Sequence, residues 1–366
     1  MWTYCNPVDV HAGCGSLNQL PRLLGDRRAI LVAFPEAIGL GLVDRLRELL
    51  GERLAAVETG VLPNPDVAWL APMYERLWRD HADVDCVIAL GGGSVIDCAK
   101  VMLTRPAQGG AGSFGELLAV LEGATPEAFS AIRHRRLLAI PTTAGTGSEV
   151  TPWATVWDQA RARKLSLQLP WTRPEAAIVD AGLMLSLPHA ATLASGLDAL
   201  SHALESLWNV HRNPVSASLA VSAARSIVAT LPVLLADLEN PVLRERLATA
   251  ALQAGLAFSS TRTALAHSLS YDITLRHGTP HGIACSFSLP RIMKLAAGRD
   301  AELDTLLLSV FDAVHIDEAV DALSGFLEGL GVSVDPLSYG IPESDWNQRV
   351  GQALAGARGR NFIATA

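Results

Sequence analysis

Apolar positions fall into two regimes along the chain. Over residues 1–187, short apolar runs of strand length alternate with amphipathic stretches of helical period. Residues 29–34 and 86–90 are continuous apolar blocks of the kind needed by a strand buried on both faces. Residues 54–58 read as a further strand, and GLVDRLRELL between them as a helix. Pro63 and Pro65 hold the chain extended around Asn64 before another helix begins. Between residues 105 and 131 the composition turns to Gly, Ala, Pro and Ser, predicting a surface connection with one short helix at about residues 114–121. ATVWD and KLSLQ read as a hairpin, and AAIVDAGLMLSLP as a strand leaving the sheet. Beyond Pro188 the pattern is helix after helix, through residues 215–235, 242–258 and 300–330, with no strand expected. The prediction is an α/β domain with a parallel sheet over residues 1–187 and an all-helical domain over 188–366.

Length and composition agree with two cores. The chain has 366 residues, against a usual ~100–200 per domain. Hydrophobic residues make up 49% and charged residues 18%, a globular and rather apolar balance. A formal charge of −8 argues against nucleic acid or an anionic membrane as the main partner, while leaving room for a local cationic pocket. No apolar run is read as a membrane span, and MWTYCNPVDV lacks the layout of a secretion signal, so a cytoplasmic protein is expected. Cys5, Cys14, Cys86, Cys98 and Cys285 show no CxxC spacing and are expected as reduced thiols.

Four stretches carry candidate chemistry. In CVIALGGGSVIDCAK a buried strand runs into Gly91, Gly92, Gly93 and Ser94 and then a helix. Phosphate needs close backbone approach and free N–H groups at a helix start, and this turn offers both. It is neither GxGxxG nor a Walker A loop, and a tight turn that needs glycine only for its backbone angles reads the same way. In LLAIPTTAGTGSEVT, Thr142, Thr143, Thr146 and Ser148 are suited to a ribose, a pyrophosphate or a nicotinamide amide, or else cap their own loop. In ASGLDALSHALESLWN, Asp198 and His202 stand one helical turn apart, and His267 and His281 follow in ALAHSLSYDITLRHGTPHGIACS. One carboxylate and three imidazoles can close on Fe²⁺ or Zn²⁺. On spacing alone, DxxxH is also an ordinary hydrogen-bonded pair.

The five motifs, in order LPNP at 62–65, GGGSVIDCAK at 91–100, PTTAGTGSEVT at 141–151, SGLDALSHALES at 195–206 and the 267–281 segment, resemble the iron-dependent (group III) alcohol dehydrogenase family. The resemblance implies a dehydroquinate-synthase-like fold, with NAD(P) held at the glycine and threonine loops and Fe²⁺ in the helical domain. Carried over position by position, the metal ligands are Asp198, His202, His267 and His281. The cofactor residues are Asn64, Gly91 to Gly93, Ser94, Asp97, Thr142, Thr143, Thr146 and Ser148, and Lys164 lies near the cofactor. A homodimer is implied as well. Two departures stand out: Tyr271 occupies the position where relatives place a proton-relaying histidine, so the phenol, His277 or water must serve. Phe34 replaces the acid that receives the adenine ribose in NAD-preferring relatives, which leaves NADH and NADPH open.

TRTALAHSLSYDITLRHGTPHGIACSFSLP is similar to the subgroup that interconverts phosphonoacetaldehyde and 2-hydroxyethylphosphonate. A phosphonate favours arginine or lysine, which makes Arg276 a substrate-binding candidate, with Arg262 and Lys164 as further ones. The implied reaction is hydride transfer between a nicotinamide and a small aldehyde, with the metal as Lewis acid. Competing readings are reduction of lactaldehyde or a short aliphatic aldehyde, lyase chemistry on the same fold, and a non-catalytic scaffold.

Overall fold

Continuous apolar blocks become interior strands because both faces of a parallel sheet are covered. The computed structural model describes residues 1–105, 114–122, 133–161, 163–169 and 171–365. Strands β1 (Asp9–Ala12), β2 (Ala29–Ala33), β3 (Leu54–Glu58), β4 (Cys86–Gly91), β5 (Thr104–Arg105), β6 (Arg133–His134), β7 (Arg136–Pro141), β8 (Trp153–Asp158), β9 (Arg163–Gln168) and β10 (Ala176–Val179) follow in chain order. Six of them form one parallel sheet in the order β1-β10-β7-β4-β2-β3. β2 pairs with β4 from Ala29↔Cys86 to Ala33↔Leu90, and every residue of both strands is buried.

Side chains of those two strands alternate between two cores. Ile30, Val32, Val87 and Ala89 pack with Leu70, Tyr74 and Trp78 of α3 (Val67–Asp80) and Ile96 and Met102 of α4 (Gly93–Met102). Leu31, Ala33, Ile88 and Leu90 pack on the other face with Leu20 and Leu24 of α1 (Leu20–Leu24) and Leu46 and Leu50 of α2 (Leu42–Leu50). This is why the strands carry no polar alternation. The expected hairpin is β8 and β9, antiparallel from Trp153↔Gln168 to Asp158↔Arg163. The strand expected to leave the sheet does not: β10 lies inside it between β1 and β7, buried along its length. Its neighbour on one side comes from the chain start, which local pattern does not report. The short helix α5 (Phe114–Leu121) stands where composition placed it; most of the surrounding Gly/Ala/Pro stretch lies outside the described residues.

The chain divides into two compact units. One comprises Pro7–Thr142 and Ser148–Leu183; the other comprises Met1–Asn6, Thr143–Gly147 and Met184–Ala366. The second is helical: α6 (His189–Leu207), α7 (Pro214–Ala236), α8 (Pro241–Thr261), α9 (Leu265–His277), α10 (His281–Ser286), α11 (Leu289–Ala296), α12 (Ala301–Phe311), α13 (Ile316–Gly329) and α14 (Glu343–Ala355). No strand occurs beyond Pro188 among the described residues. Gly278 ends α9 in the left-handed conformation and Pro280 precedes α10, so the break between them is built into the sequence. Contrary to expectation, α7 is long and apolar enough to cross a membrane by length and composition. Its Ala220, Ala223, Ala224 and Ile227 are nevertheless buried, on the helix that packs with α6 and α8.

Candidate functional site

α6 carries Asp198, His202 and Glu205 in one stripe, since steps of four and three keep residues on one helix face. All three are buried. The approach of α10 to α6 depends on Gly282: a Cβ there would lie 1.8 Å from the carbonyl oxygen of Ala194. His281 begins α10 and is thereby brought to Asp198, with Nε2 3.8 Å from Oδ1; His267 Nε2 of α9 is 3.3 Å from the same oxygen. Cys285, one turn beyond His281, completes the group. One donor atom each from Asp198, His267, His281 and Cys285 lies within 4.8 Å of the others. His202 flanks it, with Nε2 4.0 Å from Asp198 Oδ1 and its ring stacked on Phe258 and His267.

Glu205 sets the protonation pattern. Its carboxylate accepts the backbone N–H of His267 at 3.2 Å and the ring Nδ1–H at 2.6 Å, so that in the neutral ring Nε2 is the lone-pair nitrogen. Among the described residues, Asp198 Oδ1 and His267 Nε2 are both buried without a hydrogen bond, although they face each other at 3.3 Å. Two buried acceptors so placed lose solvation with no return. A divalent cation removes that cost, and carboxylate oxygen with imidazole nitrogen suits iron or zinc. The residues therefore fit the metal that the sequence implies.

Electrostatics point the same way. Burial opposes ionisation of Asp198, yet His202, His267 and His281 hold its carboxyl well below the usual range. Burial brings His202 down to about 4, so it is neutral at pH 7 as a ligand must be. His267 and His281 are held above the ordinary imidazole value against burial, first by Cys285. Cys285 is itself brought down to about 7, against burial, by His267 and His281. The pocket favours positive charge, and a cation bound there would take the place of the protons on His267 and His281.

In the α/β unit, β4 delivers the glycine turn to the start of α4. A Cβ on Gly91 would lie 2.5 Å from Val95 Cγ2, so the turn admits glycine alone. No side chain caps α4 at Gly92, which leaves its first N–H groups for an anion. Ser94 Oγ accepts the backbone N–H of Asn64 at 3.2 Å, and Asn64 holds φ at 58°. Thr142 is buried and its N–H donates to the Gly91 carbonyl. Asp97 and Ser148, expected at the cofactor, are joined to each other. Asp97 accepts from Ser148 Oγ at 2.5 Å and from the Thr155 N–H at 2.8 Å. The buried Lys100 ammonium donates to Ser148 Oγ and the Trp153 carbonyl. Burial pushes Lys100 down to about 8 and Glu149 up to about 7. Thr143 and Thr146, by contrast, belong to the helical unit.

The remaining candidates are dispersed. Tyr271, one turn beyond His267, lies parallel to the His281 ring at 6.0 Å, with the Arg358 guanidinium 4.7 Å over its own ring. His277 is exposed at the end of α9, and Lys164 on β9 stands 5.8 Å from the Trp157 ring. Arg276 is 71% exposed, paired with Asp272, which also pairs with Arg349. It lies nine residues along α9 from His267, a rise of about 13.5 Å. Arg262 is exposed at the C-terminus of α8. Sequence reasoning missed Glu205, Lys100, Cys285 and Arg358. The first two were visible as charged residues inside apolar helical motifs; the last two carry no local signal.

The family model for iron-containing alcohol dehydrogenases matches residues 7–181, and that for the C-terminal part of the same family matches residues 192–365. Alcohol dehydrogenase 4 of Schizosaccharomyces pombe is 27% identical over 347 residues, 92% of this chain and 79% of that protein. The phosphonoacetaldehyde reductase of Streptomyces viridochromogenes is 35% identical over 253 residues, 69% of this chain and 62% of that protein. Among solved structures, sulfoacetaldehyde reductase from Bifidobacterium kashiwanohense in complex with NAD⁺ superimposes with a TM-score of 0.87 at 26% identity, covering 99% of this chain and 94% of that one. Matched through both of its halves, with a metal-fitting donor group on the helices of the second, this chain belongs to the iron-containing alcohol dehydrogenase family.

Proposed function

We propose that the protein is a metal-dependent, nicotinamide-linked reductase of a two-carbon aldehyde bearing an anionic group, with phosphonoacetaldehyde as substrate and 2-hydroxyethylphosphonate as product. The observation that carries the chemistry is the buried pair of unpartnered acceptors, Asp198 Oδ1 and His267 Nε2, with His267 oriented by Glu205. Asp198, His267 and His281, with His202 beside them, would hold iron or zinc, which supplies Lewis acidity to a carbonyl oxygen. The chain's residues do the rest. The glycine turn and the N-terminus of α4 receive the pyrophosphate of NAD(H) or NADP(H), with Thr142, Thr143 and Thr146 nearby in sequence. Tyr271, stacked on His281, is the group that supplies the alcohol proton from its Oη. The substrate class is supported by the likeness to phosphonoacetaldehyde reductase, and by a structural relative whose name denotes another anion-bearing two-carbon aldehyde. A homodimer in the cytoplasm is part of the same reading.

The test is NADH and NADPH consumption by anaerobic, Fe²⁺-loaded protein with phosphonoacetaldehyde, sulfoacetaldehyde, lactaldehyde and propanal. Preference for phosphonoacetaldehyde of ~100-fold in kcat/KM, about 2.7 kcal/mol, supports the reading. Equal turnover of propanal or lactaldehyde defeats it and leaves a dehydrogenase of another small alcohol. Replacing His267 by alanine should abolish turnover and keep cofactor binding.

A further inference from the structure

An anionic substrate needs a cation, and the two arginines expected to provide it are both solvent-exposed. Arg276 is exposed and paired with Asp272, and Arg262 is exposed at a helix end. The geometry points to Arg358 as the residue that binds the substrate's phosphonate or related oxyanion. This rests on the proposed aldehyde chemistry and names its specificity determinant.

Arg358 lies just beyond α14, half-buried, with its guanidinium 4.7 Å over the Tyr271 ring. Tyr271 is in turn parallel to the ring of His281, a member of the metal-fitting group. Arg358 and His281 thus both neighbour the Tyr271 ring. A guanidinium laid on an aromatic face keeps its edge N–H donors in plane, the arrangement that meets an oxyanion through two parallel hydrogen bonds. Among the described residues no carboxylate pairs with Arg358, whereas Arg276 and Arg349 share Asp272 and Arg291 pairs with Glu343. A half-buried arginine without a counter-charge has given up part of its solvation, and an oxyanion of the substrate would restore it. A phosphonate next to the aldehyde carbon gives Arg358 an oxyanion to bind, whereas propanal has nothing to offer it.

The experiment compares wild type with Arg358→Met, which keeps a stem over Tyr271, and Arg358→Lys, which keeps the charge. kcat/KM for phosphonoacetaldehyde, sulfoacetaldehyde and propanal is measured, with calorimetric binding of 2-hydroxyethylphosphonate as a readout independent of turnover. R358M should lose about 100-fold on both anionic aldehydes and less than about 3-fold on propanal, with product binding lost and R358K intermediate. An equal fall on charged and neutral aldehydes would assign Arg358 a structural role and overturn the inference. So would wild-type preference for the anions persisting in R358M. If wild type itself shows no such preference, the anionic-substrate reading fails and the inference falls with it, an outcome distinct from the other two.

Discussion

Replacing Glu205 by glutamine tests whether this buried carboxylate sets up the metal site. The carboxylate accepts two N–H groups of one residue, the His267 backbone at 3.2 Å and its Nδ1–H at 2.6 Å. Glutamine offers one oxygen for two donors, so its amide N–H₂ must face an N–H. The variant loses a hydrogen bond to a charged acceptor, worth about 1.5–3 kcal/mol. Part of that loss appears as disorder of the imidazole that presents Nε2 to Asp198. At about 1.4 kcal/mol per decade, metal affinity should fall roughly 10- to 100-fold, the range found for groups that orient metal-bound histidines. The assay is competition for Zn²⁺ between metal-depleted protein and a chromophoric chelator, with circular dichroism to verify folding. A folded E205Q protein binding Zn²⁺ within about 3-fold of wild type, ~0.7 kcal/mol, would refute the reasoning and reduce Glu205 to a packing residue.

Other substitutions probe the remaining parts. Gly282→Ala places a methyl 1.8 Å from the Ala194 carbonyl oxygen, so α10 must retreat from α6. Urea unfolding should show a loss of about 1–3 kcal/mol or more, with metal content falling in parallel; wild-type values for both would sink the account of how His281 reaches Asp198. Gly91→Ala meets Val95 at 2.5 Å, and the displaced turn should weaken NADH binding about 10-fold or more by fluorescence titration; an unchanged Kd argues against a phosphate turn. Glu149 is pushed up to about 7 by burial, above the value near 4.5 in the unfolded chain. The folded state therefore holds the extra proton between those values, and its stabilising effect, full below pH 4.5, is lost as pH rises through 7. The wild-type advantage over Glu149→Gln should shrink by about 3 kcal/mol between pH 4.5 and 8; a pH-independent difference rejects the assignment.

Much of the fold was legible because burial repeats locally. Continuous apolar blocks at β2 and β4 can serve only strands covered on both faces, and the steps linking Asp198, His202 and Glu205 put them on one helix face in any α-helix. Gly278 and Pro280 likewise forced the break before His281 wherever the helices go. The sequence by itself therefore determined the elements, their order and the residue types available for chemistry. Tertiary structure decided which of those residues meet. It drew Cys285 into the donor group, assigned Glu205 to His267, and placed β10 inside the sheet. It turned Asp97 and Ser148 toward each other and left Arg276 paired with Asp272 at the far end of α9 while Arg358 lies on Tyr271. The reason is that periodicity records whether a side chain faces a core, a property of neighbours along the chain. Adjacency between α6, α9 and α10 is set by close packing, here by the methyl that Gly282 lacks against Ala194.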